Sequence, residues 1–179
     1  MMQHAPLFIV LLPVSAALLC MLFSRMQKNL GSWIVIGSIA AAFMSAVTVL
    51  QQVIADGGKP IHYWMGNWQP PLGIEFVVDP ISGVLAVLIT FISLLGSIYS
   101  LPFVKEEGWL HIGGYYTLYG LMTVGMCGMV ITGDVFNLYV FLEVMSLSGY
   151  GLIALGGKKS MLAAFRYLLI GTISATLYL

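Results

Sequence analysis

The chain has 179 residues, of which 60% are hydrophobic and 8% are charged. In soluble domains roughly a quarter of the residues are charged. This chain therefore has too few polar side chains to cover an apolar core in water. The composition excludes a soluble globular domain and predicts that lipid surrounds most of the chain. Seven basic and seven acidic residues give no net charge, which excludes a basic face for nucleic acid.

Five apolar stretches each have about the 20 residues that a helix needs to cross the hydrocarbon layer. They are 5–23, 30–55, 80–104, 112–132 and 135–157. A sixth begins at Met161 and is still apolar at Leu179. The first stretch lacks a basic leader and a convincing cleavage site, so we expect it to remain as a helix. The sequence predicts an all-α polytopic membrane protein with about six transmembrane helices.

Basic residues in the connections predict the orientation of these helices. One set of alternate connections contains Arg25, Lys28, Lys105, Lys158 and Lys159. Lys59 is the only basic residue in the other set. Because positive residues are retained on the cytoplasmic side, we expect a multi-pass protein of the cell (inner) membrane with its N-terminus outside.

The segment 56–78 then faces outward, between the second and third helices. It contains Tyr63, Trp64 and Trp68, and such aromatic residues favour the headgroup layer. Its apolar residues alternate on either side of a Pro- and Gly-rich turn at 69–73. This pattern predicts a short external β-hairpin.

Two aspartates precede predicted helices. Asp79 is followed by Pro80, which is typical of an N-cap with proline at the first helical position. Asp134 can cap the fifth helix in the same way. The alternative for both residues is a role in transport, but capping is the simpler expectation.

Glu143 is the charge that most needs an explanation, because it lies near the middle of the fifth stretch. An acidic residue at that depth costs about 2.5–3.5 kcal/mol unless a partner, a hydrated cavity or protonation offsets the cost. Tyr139, Ser146 and Tyr150 lie within about 60° of it on a helical wheel. The four residues form a polar stripe, which we expect to face another helix or a narrow water-filled path. The alternative is a glutamate that makes only an interhelical hydrogen bond.

Other polar residues give weaker signals. Arg166 in the sixth stretch either extends toward the cytoplasmic headgroups or changes the proton affinity of Glu143 through its charge. Two further faces have the small and polar residues of helix contacts: Tyr116, Gly120, Thr123 and Cys127 on the fourth helix, and Tyr167, Gly171, Ser174 and Tyr178 on the sixth. Histidines and cysteines show no metal-ligand spacing, so we expect neither a metal nor a cofactor.

Two long motifs resemble a known family: GNWQPPLGIEFVVD at 66–79 and GDVFNLYVFLEV at 133–144, with FRYLLIG at 165–171. They are similar to the antiporter-like membrane subunits of Mrp cation/proton antiporters, respiratory complex I and membrane-bound hydrogenases. The resemblance is strongest to the D subunit of Mrp and its hydrogenase counterpart. The resemblance covers essentially the whole chain and corresponds to the N-terminal third of the family fold.

The resemblance implies a role for Glu143 in proton translocation, together with a lysine on a broken seventh helix. Members of the family have about fourteen helices with inverted repeats. This sequence lacks that lysine, so we expect that it does not pump alone. The resemblance divides the chain into an N-terminal three-helix region, 1–111, and the incomplete start of the proton-translocating domain, 112–179. A split subunit, a truncated product and a partial sequence remain open.

Three functions follow from these observations. The first is a subunit that translocates protons or sodium ions within a larger complex, with other membrane subunits as partners. The second is a structural or assembly subunit that does not conduct. The third, a quinone-reducing enzyme, would need redox groups in partner subunits, because the chain has no haem ligand pair, cysteine cluster or dinucleotide motif.

Overall fold

The computed structural model describes residues 4–27, 30–68, 73–104 and 109–178. Its elements are α1 (Ala5–Met26), α2 (Leu30–Ala55), β1 (Ile61–Trp64), β2 (Glu75–Val78), α3 (Pro80–Tyr99), α4 (Leu101–Val104), α5 (Trp109–Ile131), α6 (Val135–Ala154) and α7 (Lys158–Tyr178). In these ranges, six helices are long and apolar enough to cross a membrane. The predicted all-α polytopic fold with a short hairpin is confirmed.

Among the predicted spans, the third differs most from the observed helices. Instead of one helix over 80–104, α3 ends at Tyr99 and a separate short helix, α4, follows. Pro102 explains the break, because a proline has no N–H to donate and its ring clashes with the carbonyl group four residues earlier, here that of Ile98. Lys28, Lys105 and the tip of the hairpin at 69–72 lie outside the described residues.

The helix α5 is the centre of the bundle. It packs against α1, α2, α3 and α6, while α7 packs mainly on α6. Its face of Tyr116, Thr123 and Cys127 is almost fully buried, and Gly120 on the same face lies against Ala17 of α1. This face is a packing surface. The predicted boundary after residue 111 falls inside α5, near its start, and α5 packs on α1. The division into two regions stays a prediction.

Hydroxyl groups join α3 to α5 inside this core. The Tyr119 hydroxyl donates to the Ser93 backbone oxygen over 2.9 Å, and the Tyr116 hydroxyl lies 3.0 Å from the Ser100 Oγ. Such interhelical hydrogen bonds satisfy polar groups that lipid cannot. They fix α3 against α5.

The hairpin has the predicted strand pattern. Its strands are antiparallel, with Ile61 opposite Val78 and Trp64 opposite Glu75. After β1 the chain turns through Met65–Asn67, where Gly66 has a φ of 65°. Residues with side chains rarely adopt that backbone conformation, and glycine adopts it freely.

We expect Gly31 to be essential for the contact between α1 and α2. A Cβ at Gly31 would overlap the Ser24 Oγ and lie 2.7 Å from the Cys20 backbone oxygen. Gly31→Ala should destabilise the protein by about 1–3 kcal/mol, as overpacking does. Thermal unfolding in detergent, followed by circular dichroism, measures the effect.

Gly37→Ala is the matched control on the same helix, since a Cβ there meets nothing within 4 Å. It should leave the melting temperature unchanged or raise it, because alanine is the better helix former by about 1 kcal/mol. Equal melting temperatures for the two variants would contradict the packing explanation.

Candidate ion-translocation site

The position of Glu143 depends first on where α6 begins. Asp134 is the N-cap of α6, and its carboxylate accepts a hydrogen bond from the Phe136 N–H at 3.0 Å. The Asn137 Nδ2 donates to the Thr132 Oγ1 at 3.0 Å across the same turn. With the helix start fixed, Glu143 lies about 13 Å along the axis, in the middle of the span.

Asp79 caps α3 in the same manner. Its carboxylate accepts a hydrogen bond from the Ser82 N–H at 2.7 Å, and the Ser82 Oγ accepts one from the Asp79 N–H at 2.8 Å, which together form a capping box. The hydrogen bond that the Ser82 N–H donates to the carboxylate is the main cause that holds the pKa of Asp79 below its usual range, because it favours the ionised form. Both aspartates therefore have a structural partner at a helix start.

Contacts with α5 set the rotation of α6. A Cβ at Gly128 would overlap the Phe141 ring, and a Cβ at Gly125 would lie 2.6 Å from the Met145 Cβ. The two glycines thus allow α6 to approach α5 closely, with Phe141 and Met145 facing α5. Glu143 is two residues from each, or about 200° around the helix, so its side chain leaves α6 on the face away from α5.

The polar stripe contacts α7 at both of its ends. At the end near the hairpin, the rings of Tyr139 and Tyr178 stack with centroids 6.4 Å apart. At the far end, the Tyr150 ring meets Tyr167 edge to face at 5.0 Å, and a Cβ at Gly171 would overlap the Tyr150 hydroxyl. The stripe and the small-and-polar face of α7 therefore lie against each other.

Glu143 and Ser146 lie between these two tyrosine pairs. Both are half-buried, and the Glu143 carboxylate interacts with the Tyr139 hydroxyl. The two tyrosine pairs show that α6 and α7 are antiparallel, so Glu143 is level with the part of α7 around Ser174. The Tyr139 hydroxyl can donate a hydrogen bond to the Glu143 carboxylate.

Arg166 lies apart from this group. Its side chain is exposed, and it directly precedes Tyr167, the residue that contacts Tyr150. Arg166 is therefore at the same height as Gly151 of α6, about 12 Å along the helix axis from Glu143. Within the described residues it forms no ion pair. The structure places Glu143, Tyr139, Ser146 and Tyr150 on one face of α6, whereas Arg166 lies near the Tyr150 end and far from Glu143.

A polar cluster on the hairpin was not expected from the sequence. The Glu75 carboxylate lies 2.7 Å from the His62 Nδ1 and accepts a hydrogen bond from the Trp64 Nε1 at 2.9 Å. These two contacts hold the pKa of Glu75 below its usual range. The strand register is what could have predicted this cluster. It places Trp64 opposite Glu75, and His62, two residues before Trp64 on β1, lies on the same face of the hairpin.

The described residues contain no group of three or more His, Cys, Asp or Glu side chains that could hold a metal ion. Oxygen groups in the stripe are one carboxylate and several hydroxyls. Their chemistry suits a proton or a weakly held monovalent cation.

Comparison with known proteins gives relatives along the whole chain. No family model matches it. The chain is 40% identical over 179 residues to the N-type subunit of the NADH-quinone oxidoreductase of Desulforudis audaxviator, covering 100% of this chain and 36% of that protein. It is 31% identical over 173 residues to the D-type subunit of the Na(+)/H(+) antiporter of Bacillus subtilis, covering 94% of this chain and 34% of that protein.

Solved structures agree with these relatives. The fold matches a chain of the membrane-bound sulfane sulfur reductase, an archaeal respiratory membrane complex, with a TM-score of 0.88 and 27% identity over 97% of this chain and 35% of that one. It matches a chain of the Mrp complex from Dietzia sp. DQ12-45-1b with a TM-score of 0.79 and 24% identity over 98% of this chain and 32% of that one. The second match shows the fold alone.

The chain is therefore a relative of the antiporter-like membrane subunits, as its motifs indicate. Within that class its relatives include both N-type and D-type subunits, and the N-type relative above has the higher identity of the two. The chain spans about a third of the length of these relatives.

If Asp134 is a cap and not a transport group, Asp134→Asn should behave like the unaltered protein. Its amide oxygen can still accept from the Phe136 N–H, whereas Asp134→Ala loses the acceptor and about 1 kcal/mol of stability. Melting temperatures of both variants, with ion transport measured in vesicles that contain the assembled complex, check this. A stable Asp134→Asn variant without transport would contradict the capping role.

Proposed function

We propose that this chain is a membrane subunit of a multi-subunit ion-translocating complex of the Mrp, complex I or hydrogenase type, and that Glu143 lies on its proton path. The observation that carries the proposal is a half-buried carboxyl group in the middle of a transmembrane helix, on a polar stripe that contacts α7. Acidic residues at that depth are costly, and they usually serve transport.

The surroundings of Glu143 suit a group that gains and loses a proton. The nearby Tyr139 hydroxyl can donate a hydrogen bond to the carboxylate. Ser146 and Tyr150 continue the stripe, and each hydroxyl can both donate and accept a proton.

The stripe requires water for a continuous path. Tyr139 lies against the Glu143 carboxylate, but Glu143 and Tyr150 are seven residues apart, or about 10 Å along the helix axis. Bridging water molecules would link them. Arg166, near the far end, would act on Glu143 only at long range, by favouring the ionised carboxylate.

The proposal includes location and partners. The chain would lie in the cell (inner) membrane with its N-terminus outside, beside other membrane subunits that complete the path. Support comes from the asymmetry of basic residues between connections and from relatives that are named as subunits of antiporters and respiratory complexes. Protons or sodium ions are the proposed substrates.

A structural or assembly subunit is the second candidate. It is favoured by the two tyrosine pairs and by Gly171, which fix α6 on α7 whether or not a proton moves. On this alternative, Glu143 contributes only a packing interaction through Tyr139. The consequence is that removing its charge should leave transport intact.

Replacing Glu143 with glutamine tests the two candidates. Glu143→Gln retains the size and the hydrogen-bonding oxygen but cannot titrate, so we expect loss of most proton or cation/proton transport by the assembled complex. Glu143→Asp, which keeps a carboxyl group, should retain part of it. Transport is measured in inverted vesicles with a pH-sensitive dye.

The exposed Asp56 provides a control carboxylate at the end of α2. Asp56→Asn should transport like the unaltered complex. Full transport by Glu143→Gln in a normally assembled complex would rule out the proton path through Glu143 and favour the structural candidate.

Thiol labelling of intact cells tests the proposed orientation. The native cysteines, Cys20 and Cys127, are buried, so a new cysteine can be observed separately. Lys59→Cys should react with a membrane-impermeant maleimide from outside, and Lys159→Cys only after permeabilisation. The reverse pattern would show that the N-terminus is inside.

A further inference from the structure

The hairpin is joined directly to the connection between α5 and α6. The Gly133 N–H donates to the Glu75 backbone oxygen at 2.9 Å, and Phe76 forms a β-bridge with Thr132. Gly133 has no room for a side chain, since a Cβ would lie 2.6 Å from the Val77 Cγ2. Strand β2 therefore fixes the backbone immediately before α6 begins.

Phe76 extends this contact into the bundle. Its side chain is 0% exposed, and its ring lies 6.3 Å from the ring of Phe141 between centroids, at a tilt of 35°. Phe141 is held on its other side by Gly128 of α5. A single ring on α6 is thus enclosed by the hairpin and by α5.

Phe141 and Glu143 are on opposite faces of the same helical turn. Phe141 packs on α5, and Glu143 lies about 200° around the helix, on the face that contacts α7. A helical turn is rigid and the interior of the bundle is closely packed. A shift of Phe141 would therefore rotate or displace the carboxyl group of Glu143. The distance from Glu143 to the α7 tyrosines therefore depends on Phe76.

We propose that the hairpin is a positioning element for Glu143, with Phe76 as the positioning residue that acts through Phe141. The cluster of His62, Trp64 and Glu75 stiffens the strand pair that carries Phe76. This inference rests on the proposed function of Glu143 as a titrating group. It assigns to the hairpin a role in setting the proton affinity of that group.

The groups that face Glu143 define what a displacement would change. On α6 they are Tyr139 and Tyr150, and on α7 they are Tyr167 and Tyr178, with Arg166 farther away. The helix α5 presents Gly125 and Gly128 to α6. Tyr139 is one turn before Glu143 on α6 and moves with it, so a displacement changes the distance from the carboxyl group to the tyrosine hydroxyls of α7.

A hydrophobic carbodiimide is a suitable probe, because it modifies protonated carboxyl groups in apolar surroundings. Native membranes that contain the full assembly are treated over a range of pH, and the labelled fraction of Glu143 is measured by mass spectrometry. We expect Phe76→Ala to shift the midpoint pH of labelling by about half a unit, a threefold change in proton affinity. Phe76→Leu, which refills most of the volume, should restore the original midpoint.

Val78→Ala is the matched control. Val78 is also 0% exposed on the same strand, but it lies against Gly83 of α3. Its truncation also removes buried volume from the strand and should leave the midpoint unchanged. Equal shifts for Phe76→Ala and Val78→Ala would overturn the inference, because they would indicate a general loss of packing.

Two variants test the same contact from the other side if Phe76→Ala does not accumulate. Gly128→Ala pushes on Phe141, and Phe141→Leu removes its ring, so both should shift the midpoint. An unchanged midpoint in either variant overturns the positioning role and leaves the proposed function standing. If Glu143 of the unaltered protein is labelled at no pH, the proposed function and this inference both fail.

Discussion

The close approach of α5 and α6 at Gly125 and Gly128 is the contact on which the candidate site depends. With no side chain on these two glycines, α6 lies with Phe141 and Met145 directly on α5. That contact fixes the rotation of α6, and the period of the helix then turns Glu143, Tyr139 and Tyr150 toward α7. The stripe that contains this carboxyl group therefore contacts α7 at both of its ends, through Tyr139 and Tyr150.

The hairpin is joined to the helix bundle close to this contact. Backbone pairing at Thr132 and Gly133 ties strand β2 to the start of α6, and Asp134 then begins the helix. Tertiary interactions in a membrane cannot rely on the hydrophobic effect between helices, since lipid is as apolar as leucine. Backbone hydrogen bonds, small residues and close-fitting rings take its place here.

Local residue chemistry explains which elements were predictable. The helix of Leu30–Ala55 has the bounds that its apolar run predicts, and the hairpin follows from alternation around a turn rich in proline and glycine. Pro102, which breaks the third span, is also present in the sequence. The prediction of this span used only the length of the apolar run, which does not show where a helix ends. The tyrosine pairs could be predicted only in part: the spacing placed four residues on one face, but their partners on α7 come from another segment.

The sequence by itself determined that lipid surrounds most of this protein, how many times the chain spans the membrane, and that it is related to the antiporter-like subunits. It also determined the polar stripe that contains Glu143. These depend on composition and on the helical period, which are local properties. The tertiary structure decided that the stripe faces α7, that Arg166 lies far from Glu143, and that Phe76 contacts Phe141 from 65 residues away in the chain. Such contacts depend on how helices dock, which is set by the sum of many small fits and not by any single segment.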